Sequence, residues 1–219
     1  MTFRLNLQGE GDRYVLYRGS YLREMPLLKS QQRVALSAGH LFQRRLDLRN
    51  TDDREVRDSW MDTSFILPDG IVFHPDKGIK VVLDAPPLLN LNEDALIQNR
   101  GLVLKDGVYE SLPGPEFSRY RIEKDASRFL EPSGVKSNPI WRTLARDQAL
   151  LNDYTDYIFS ETKKRFGFTR GMGIHLPVAS SKPIIYPWCS RWLYWSHLDG
   201  ATDLNNPGNQ LVGMLVPFE

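Results

Sequence analysis

The side chains best suited to covalent chemistry lie late in the chain. Cys189, the single cysteine, has His175 and His197 nearby in sequence, and a Cys–His pair can make a thiolate nucleophile. Cys189 stands between Trp188 and Ser190 in an aromatic stretch, where a cysteine is more often packed and inert. His74-Pro75-Asp76 and His197-Leu198-Asp199 each set a histidine two residues before a carboxylate. Together they could form a site of two histidines and two aspartates for a divalent ion. Nothing in the spacing brings the two pairs together, and His74 reads as a turn residue ahead of Pro75. No phosphate-loop or dinucleotide glycine motif and no G-x-S-x-G elbow occurs. The glycine-rich run Gly167-Phe168-Thr169-Arg170-Gly171-Met172-Gly173 follows a helical pattern, so it reads as a connection from helix to strand. No metal and no cofactor is expected.

One looser pattern points to catalysis. Leu16-Tyr17-Arg18-Gly19 ends a strand, Asp62-Thr63-Ser64 opens another, and Glu110 follows downstream. The set resembles the Arg…Ser-Thr-Ser…Glu arrangement of mono-ADP-ribosyltransferases. That resemblance implies NAD phosphates held by Arg18, a site supported by Ser64 and a ribosyl cation stabilised by Glu110. Asp62-Thr63-Ser64 stands where the family has Ser-Thr-Ser, and Val108 stands two before Glu110 where many members have Glu or Gln. A small NAD-using transferase with Arg18, Ser64 and Glu110 as catalytic residues is therefore an alternative, ranked below a binding role.

Binding surfaces form the other class. Tyr186-Pro187-Trp188-Cys189-Ser190-Arg191-Trp192-Leu193-Tyr194-Trp195-Ser196-His197 holds three of the five tryptophans. As a strand it sets Tyr186, Trp188, Trp192 and Tyr194 on one face, and Arg191, Trp195 and His197 on the other. Exposed, the first face could stack bases or sugars, or anchor a protein; buried, it is core. Arg45 and Arg49 are four apart and share a face if the helix beneath them continues. They complete the predicted partner-binding set.

Elements must position these groups. Alternation in 2–8, a Gly-rich turn and Tyr14-Val15-Leu16-Tyr17 predict a β-hairpin over 2–18. Ser30 is placed to cap a helix running to Leu46, and 52–60 predicts a short helix with acidic residues in its first turn. Within 64–122, turns at Pro68-Asp69-Gly70, Pro75-Asp76-Lys77-Gly78, Lys105-Asp106-Gly107 and Pro113-Gly114-Pro115 separate β-like runs at 71–73, 79–83, 101–104 and 120–122. Asn92 is placed to cap a short helix over 93–99. The strongest helical pattern covers 139–166, with Pro139 at its start and Gly167 past its end. The fold class that follows is α+β and β-rich: an antiparallel sheet or small barrel-like meander with one long amphipathic helix, 139–166, packed on it. A single domain over 1–219 is expected, with a hairpin-plus-helix subregion at 1–60.

Composition narrows the function classes. Lys and Arg total 28 against 27 Asp and Glu, which argues against a protein that coats nucleic acid. The charge is uneven: +4 over 1–57, −5 over 58–131 and +2 over 132–219. Such segments can attract within one fold or between copies. Neither a secretory leader nor an apolar run long enough to span a bilayer is present. The expected location is the cytoplasm or a virion, with no membrane partner. The leading expectation is a non-catalytic subunit of an ordered multi-protein assembly, such as a viral or phage structural component. Its partners would be other protein subunits, in a homo- or hetero-oligomer. An RNA-binding subunit of a ribonucleoprotein complex is a third reading.

Overall fold

Two segments rich in β-branched and aromatic residues, 65–74 and 184–190, form the centre of the molecule. They pair antiparallel and are buried along nearly their whole length, as strands covered on both faces must be. The computed structural model describes residues 3–92, 94–120, 122, 129–168, 172–177 and 180–215, without the Trp195 side chain.

In chain order the elements begin with β1 (Tyr14–Arg18), α1 (Tyr21–Ser30), β2 (Val34–Ala35), α2 (Ala38–Asp47) and α3 (Arg54–Met61). The central strand β3 (Phe65–His74) is followed by β4 (Gly78–Val82), α4 (Pro86–Leu89), β5 (Ile97–Gln98), β6 (Gly101–Val103), α5 (Val108–Ser111) and β7 (Glu116–Phe117). A helical layer follows: α6 (Pro132–Ser137), α7 (Pro139–Ala145) and α8 (Gln148–Phe166). The chain then returns to strands in β8 (Ile174–His175), β9 (Ile184–Ser190), β10 (Leu198–Asp199) and β11 (Gln210–Met214).

The larger sheet runs β5-β6-β9-β3-β4-β7, and β10 joins β9 to β8 at its side. Pairing is antiparallel except between β10 and β8. A smaller sheet runs β1-β11-β2. One face of the central pair carries Phe65, Leu67, Ile71, Phe73, Ile184, Tyr186 and Trp188, packed under α2, α7 and α8. The opposite face carries Ile66, Val72, Ile185 and Cys189, in a second cluster with α1 and α4. Within the helical layer Phe42 of α2 stacks on Tyr154 of α8 with ring centres 4.3 Å apart.

The α+β class, the antiparallel sheets and the packing of helix on sheet stand as expected. Among the described residues helix accounts for 38% and strand for 24%, so the balance is more helical than the turn-rich sequence suggests. The long helix is two: Arg146 takes a left-handed φ of 65° and ends α7, and the Asp147 side chain accepts from the Leu150 N–H to start α8. Asn138 caps α7 and Gly167, with a φ of 73°, closes α8.

Of the hairpin expected over 2–18, residue 2 lies outside the described residues, and among 3–18 no hairpin forms. The Asn6 side chain donates to the Tyr14 carbonyl and accepts from its N–H. It thereby takes the place of a strand at that edge, and β1 pairs with β11 instead. Ser30 ends α1 rather than starting a helix; Ser37 caps α2, because Val34–Ala35 is drawn into the small sheet by β11. Pro68-Asp69-Gly70 is a bulge inside β3, not a turn. Ile66 faces Cys189 and Gly70 faces Pro187, and the irregularity accommodates a proline that has no N–H to give the ladder. Ile97–Gln98 is a strand, where a helix over 93–99 was expected; Glu93 lies outside the described residues. Tyr120 and Ile122 are helical, so the run at 120–122 is not a strand, and Arg121 lies outside the described residues. Residues 169–171 of the glycine-rich stretch also lie outside them.

Candidate binding site

β9 delivers the aromatic stretch to one end of the sheet and then stops at Ser190. Beyond that point strand alternation ends, because Trp192 donates its N–H to Ser64 Oγ and residues 193–195 close a tight 3-10 turn. β10 then comes back antiparallel to β9, with Leu198 opposite Ser190. Residues 191–197 are therefore a loop held at both ends by a rigid strand pair. Leu193 turns inward and is buried, while Trp192 is 40% and Tyr194 is 38% exposed.

The predicted partner-binding set divides accordingly. Tyr186 and Trp188, 2% and 0% exposed, are core and offer a protein partner no face. Trp192 and Tyr194 stack with ring centres 5.5 Å apart. Tyr194 also meets Phe166 and Phe168 edge-on at 5.2 and 5.5 Å. Phe166 and Phe168 come from the end of α8 and were not anticipated; their only sequence signal is an aromatic on each side of the terminating glycine. Arg45 and Arg49 do not share a face. Arg45 is 1% exposed in the core, since α2 ends at Asp47, while Arg49 is exposed on the 3-10 turn that follows.

Beside the aromatic loop lies a polar recess of about 230 Å³, with Ser64, Arg100, His175, Arg191, Asp199 and Gln210 in its wall. Asp199 is its organising charge. His175 Nδ1 lies 3.0 Å from Asp199 Oδ1, the Ala201 N–H donates to that same oxygen, and Arg191 holds Oδ2. Burial pushes the Asp199 carboxyl up, but these hydrogen bonds outweigh it and leave it below the ordinary value of 3.8. The folded state therefore binds this proton less tightly than the unfolded chain. Asp199 contributes stability above the ordinary carboxylate value, and the contribution is lost as pH falls through the depressed one. Asp199→Asn is expected to flatten the acid limb of unfolding free energy against pH below about 4. Urea titrations across that range check this, and an unaltered limb would refute it.

Among the described residues the recess carries no activated thiol. Cys189 lies in its wall, yet burial pushes the thiol up to about 12. Nor do the two His-x-Asp pairs meet. His74 Nδ1 accepts from the N–H groups of Asp76 and Lys77, which makes it the turn residue its neighbour Pro75 suggested. Among the described residues no group of three His, Cys, Asp or Glu side chains is arranged to hold a metal ion.

The three residues of the transferase pattern are not brought together. Ser64 stands at the start of β3 and lines the recess. Glu110 pairs with Lys77 in the turn after β3, roughly 30 Å away along a ten-residue strand. Arg18 lies beside Gln210 on the small sheet, with its guanidinium 4.3 Å from the Phe3 ring centre. Among the described residues no helix is long and apolar enough to cross a membrane.

No protein-family model and no curated protein sequence matches the chain. A solved structure does, from work on the accommodation of massive sequence variation in Nanoarchaeota by the C-type lectin fold. It is 14% identical, with a TM-score of 0.67, and the match covers 92% of this chain and 96% of that one. Identity this low speaks to architecture alone, and on that evidence the chain has the C-type lectin fold.

Proposed function

We propose that this chain is a non-catalytic, protein-binding subunit of a larger assembly, docking through the patch formed by Trp192, Tyr194 and Phe166. The observation that carries the reading is the stacked, exposed Trp192–Tyr194 pair on a loop tied at both ends to the buried β9–β10 pair. Rigid aromatic side chains give large contact area at little entropic cost, and they dominate interface energetics. Lys163 and Lys164 are exposed on the last turn of α8, the turn that ends in Phe166, and Lys164 pairs with Glu161. The partner the patch fits has an apolar centre and an acidic rim. The similar nanoarchaeal structure is described as a lectin fold that accommodates massive sequence variation. In this chain the core under β3 and β9 carries the fold, and loop 191–197 sets the partner.

Truncating two central aromatics of a docking patch is worth at least about 2 kcal/mol, or roughly 30-fold in affinity. Quantitative affinity purification should therefore recover the partner with wild type and with Leu96→Ala, a control elsewhere on the surface. It should fail with Trp192→Ala/Tyr194→Ala at unchanged melting temperature. Equal recovery with all three proteins would sink the proposal. Stacked aromatics beside lysines also suit single-stranded RNA. Salt-sensitive binding of an oligouridylate, lost in the same double variant, would replace a protein partner by RNA.

A further inference from the structure

A second recess, of about 380 Å³, lies on the other side of Arg100. We propose that it binds a small organic carboxylate, with the Arg100 guanidinium and the Tyr186 hydroxyl as its two donors. Its described wall is Asn99, Arg100, Pro177, Tyr186 and Ala201, so among the described residues it carries a cation, a phenol and apolar surface but no acidic group. The proposal is independent of the aromatic docking patch.

Tyr186 is placed for this use. Its ring is packed away, with 2% of the residue exposed, yet its hydroxyl makes no hydrogen bond among the described residues. A buried tyrosine normally finds its hydroxyl a partner; here the hydroxyl is left over on a residue that borders the recess. Glycine at 101 makes room for it. A Cβ there would lie 2.7 Å from Tyr186 Cε1 and 2.9 Å from Cδ1, so any other residue would push the ring out of its seat.

Arg100 is held in an unusual backbone. Ile97 pairs with Leu102 and Gln98 with Gly101, which leaves Asn99-Arg100 as a two-residue hairpin loop. Both residues are left-handed, with φ of 50° and 74°. Asparagine suits the first position of such a turn, but the second is ordinarily glycine. The Leu204 N–H, from a residue that is itself fully buried, donates to the Arg100 carbonyl and fixes the turn. The guanidinium makes no ion pair among the described residues. Backbone strain of this kind clusters at ligand sites, and here it lies in the turn whose arginine lines the recess.

The neighbouring smaller recess decides the polarity of the ligand. Arg100 and Ala201 line both spaces. Asp199 and Asp203 lie on the smaller side, so the anion belongs in the larger one. Gln210 Oε1, buried without a partner, also lies on the smaller side and is ready to accept an N–H or O–H from the same ligand. One guanidinium and one phenol match the two oxygens of a carboxylate, and the apolar wall matches a compact organic body.

The test uses the full chain and three probes: benzoate, its neutral analogue benzamide, and inorganic phosphate. Amide shifts of Gly101 and Ala201 should move saturably with benzoate. Benzamide should bind at least about tenfold more weakly, and phosphate no more tightly than benzoate. Arg100→Gln and Tyr186→Phe should each weaken benzoate at least about tenfold, with the melting temperature retained. Tyr186→Phe keeps the ring over Gly101, so it separates the donor from the packing. No response to benzoate, or full binding by Arg100→Gln, overturns the proposal, as does a tighter fit for phosphate.

Discussion

Arg45→Ala is expected to lower the unfolding free energy by about 3–5 kcal/mol, the largest effect of any single substitution considered. Arg45 lies in the core and donates to four acceptors. Nε donates to the Trp60 carbonyl at 3.0 Å, and Nη2 to the Thr63 carbonyl at 3.2 Å. Nη1 reaches the Tyr154 hydroxyl at 2.8 Å and Ser190 Oγ at 3.1 Å. These partners belong to the end of α3, the chain beyond it, α8 and β9, so one side chain fastens the helical layer to the central sheet. Its acceptors are all neutral. Truncation leaves two buried carbonyls without donors, at about 1–3 kcal/mol each, and empties the space of the aliphatic stem. Arg45→Met refills most of that space but supplies no donor, so it should recover the packing part of the loss only. Urea unfolding of the two variants separates the contributions. Equal stability of Arg45→Ala and wild type would show that the four bonds are dispensable.

Asp69→Ala should cost about 3 kcal/mol or more, and for a related reason. Asp69 is fully buried and projects from the bulge in β3. Its carboxylate accepts from the Ala38 N–H at 2.7 Å and the Asp84 N–H at 3.0 Å, and it pairs with Arg146 at 3.1 Å. The Ala38 N–H is one of the unsatisfied donors at the start of α2, and a negative charge there also suits the helix dipole. Arg146 and Asp84 both hold left-handed backbones, with φ of 65° and 42°. Their side chains pair with each other at 2.7 Å. Asp69 thus ties together a helix start, a strained turn and the break between α7 and α8. Asp69→Asn retains one acceptor oxygen and forfeits the charge, so its loss should be smaller than that of alanine. Chemical denaturation gives the ranking; hydrogen exchange at Ala38 and Asp84 should quicken in both variants. If exchange there stays at the wild-type rate, the carboxylate does not hold these backbones.

The sequence by itself determined what is settled within a few residues of chain. Asn138 followed by Pro139 starts a helix, Gly167 ends one, and the acidic cluster at 52–55 opens α3, where the Asp53 side chain accepts from the Val56 N–H. These are bonds between a side chain or a backbone and its near neighbours, so residue type and spacing suffice. The α+β class followed from the same local signals added along the chain.

Only the tertiary structure decided which groups are in and which are out. Tyr186, Trp188, Trp192 and Tyr194 read as one face, yet the first two are core and the last two are exposed. The difference is made by Ser64, which takes the Trp192 N–H from a position remote in sequence. Arg45 reads as a surface cation, yet its partners include Tyr154 and Ser190. The helix over 139–166 is continuous by pattern, yet it breaks where Arg146 turns to Asp69 and Asp84. Burial and hydrogen-bond satisfaction depend on partners far apart in the chain, and one-dimensional spacing carries no record of which distant residue arrives.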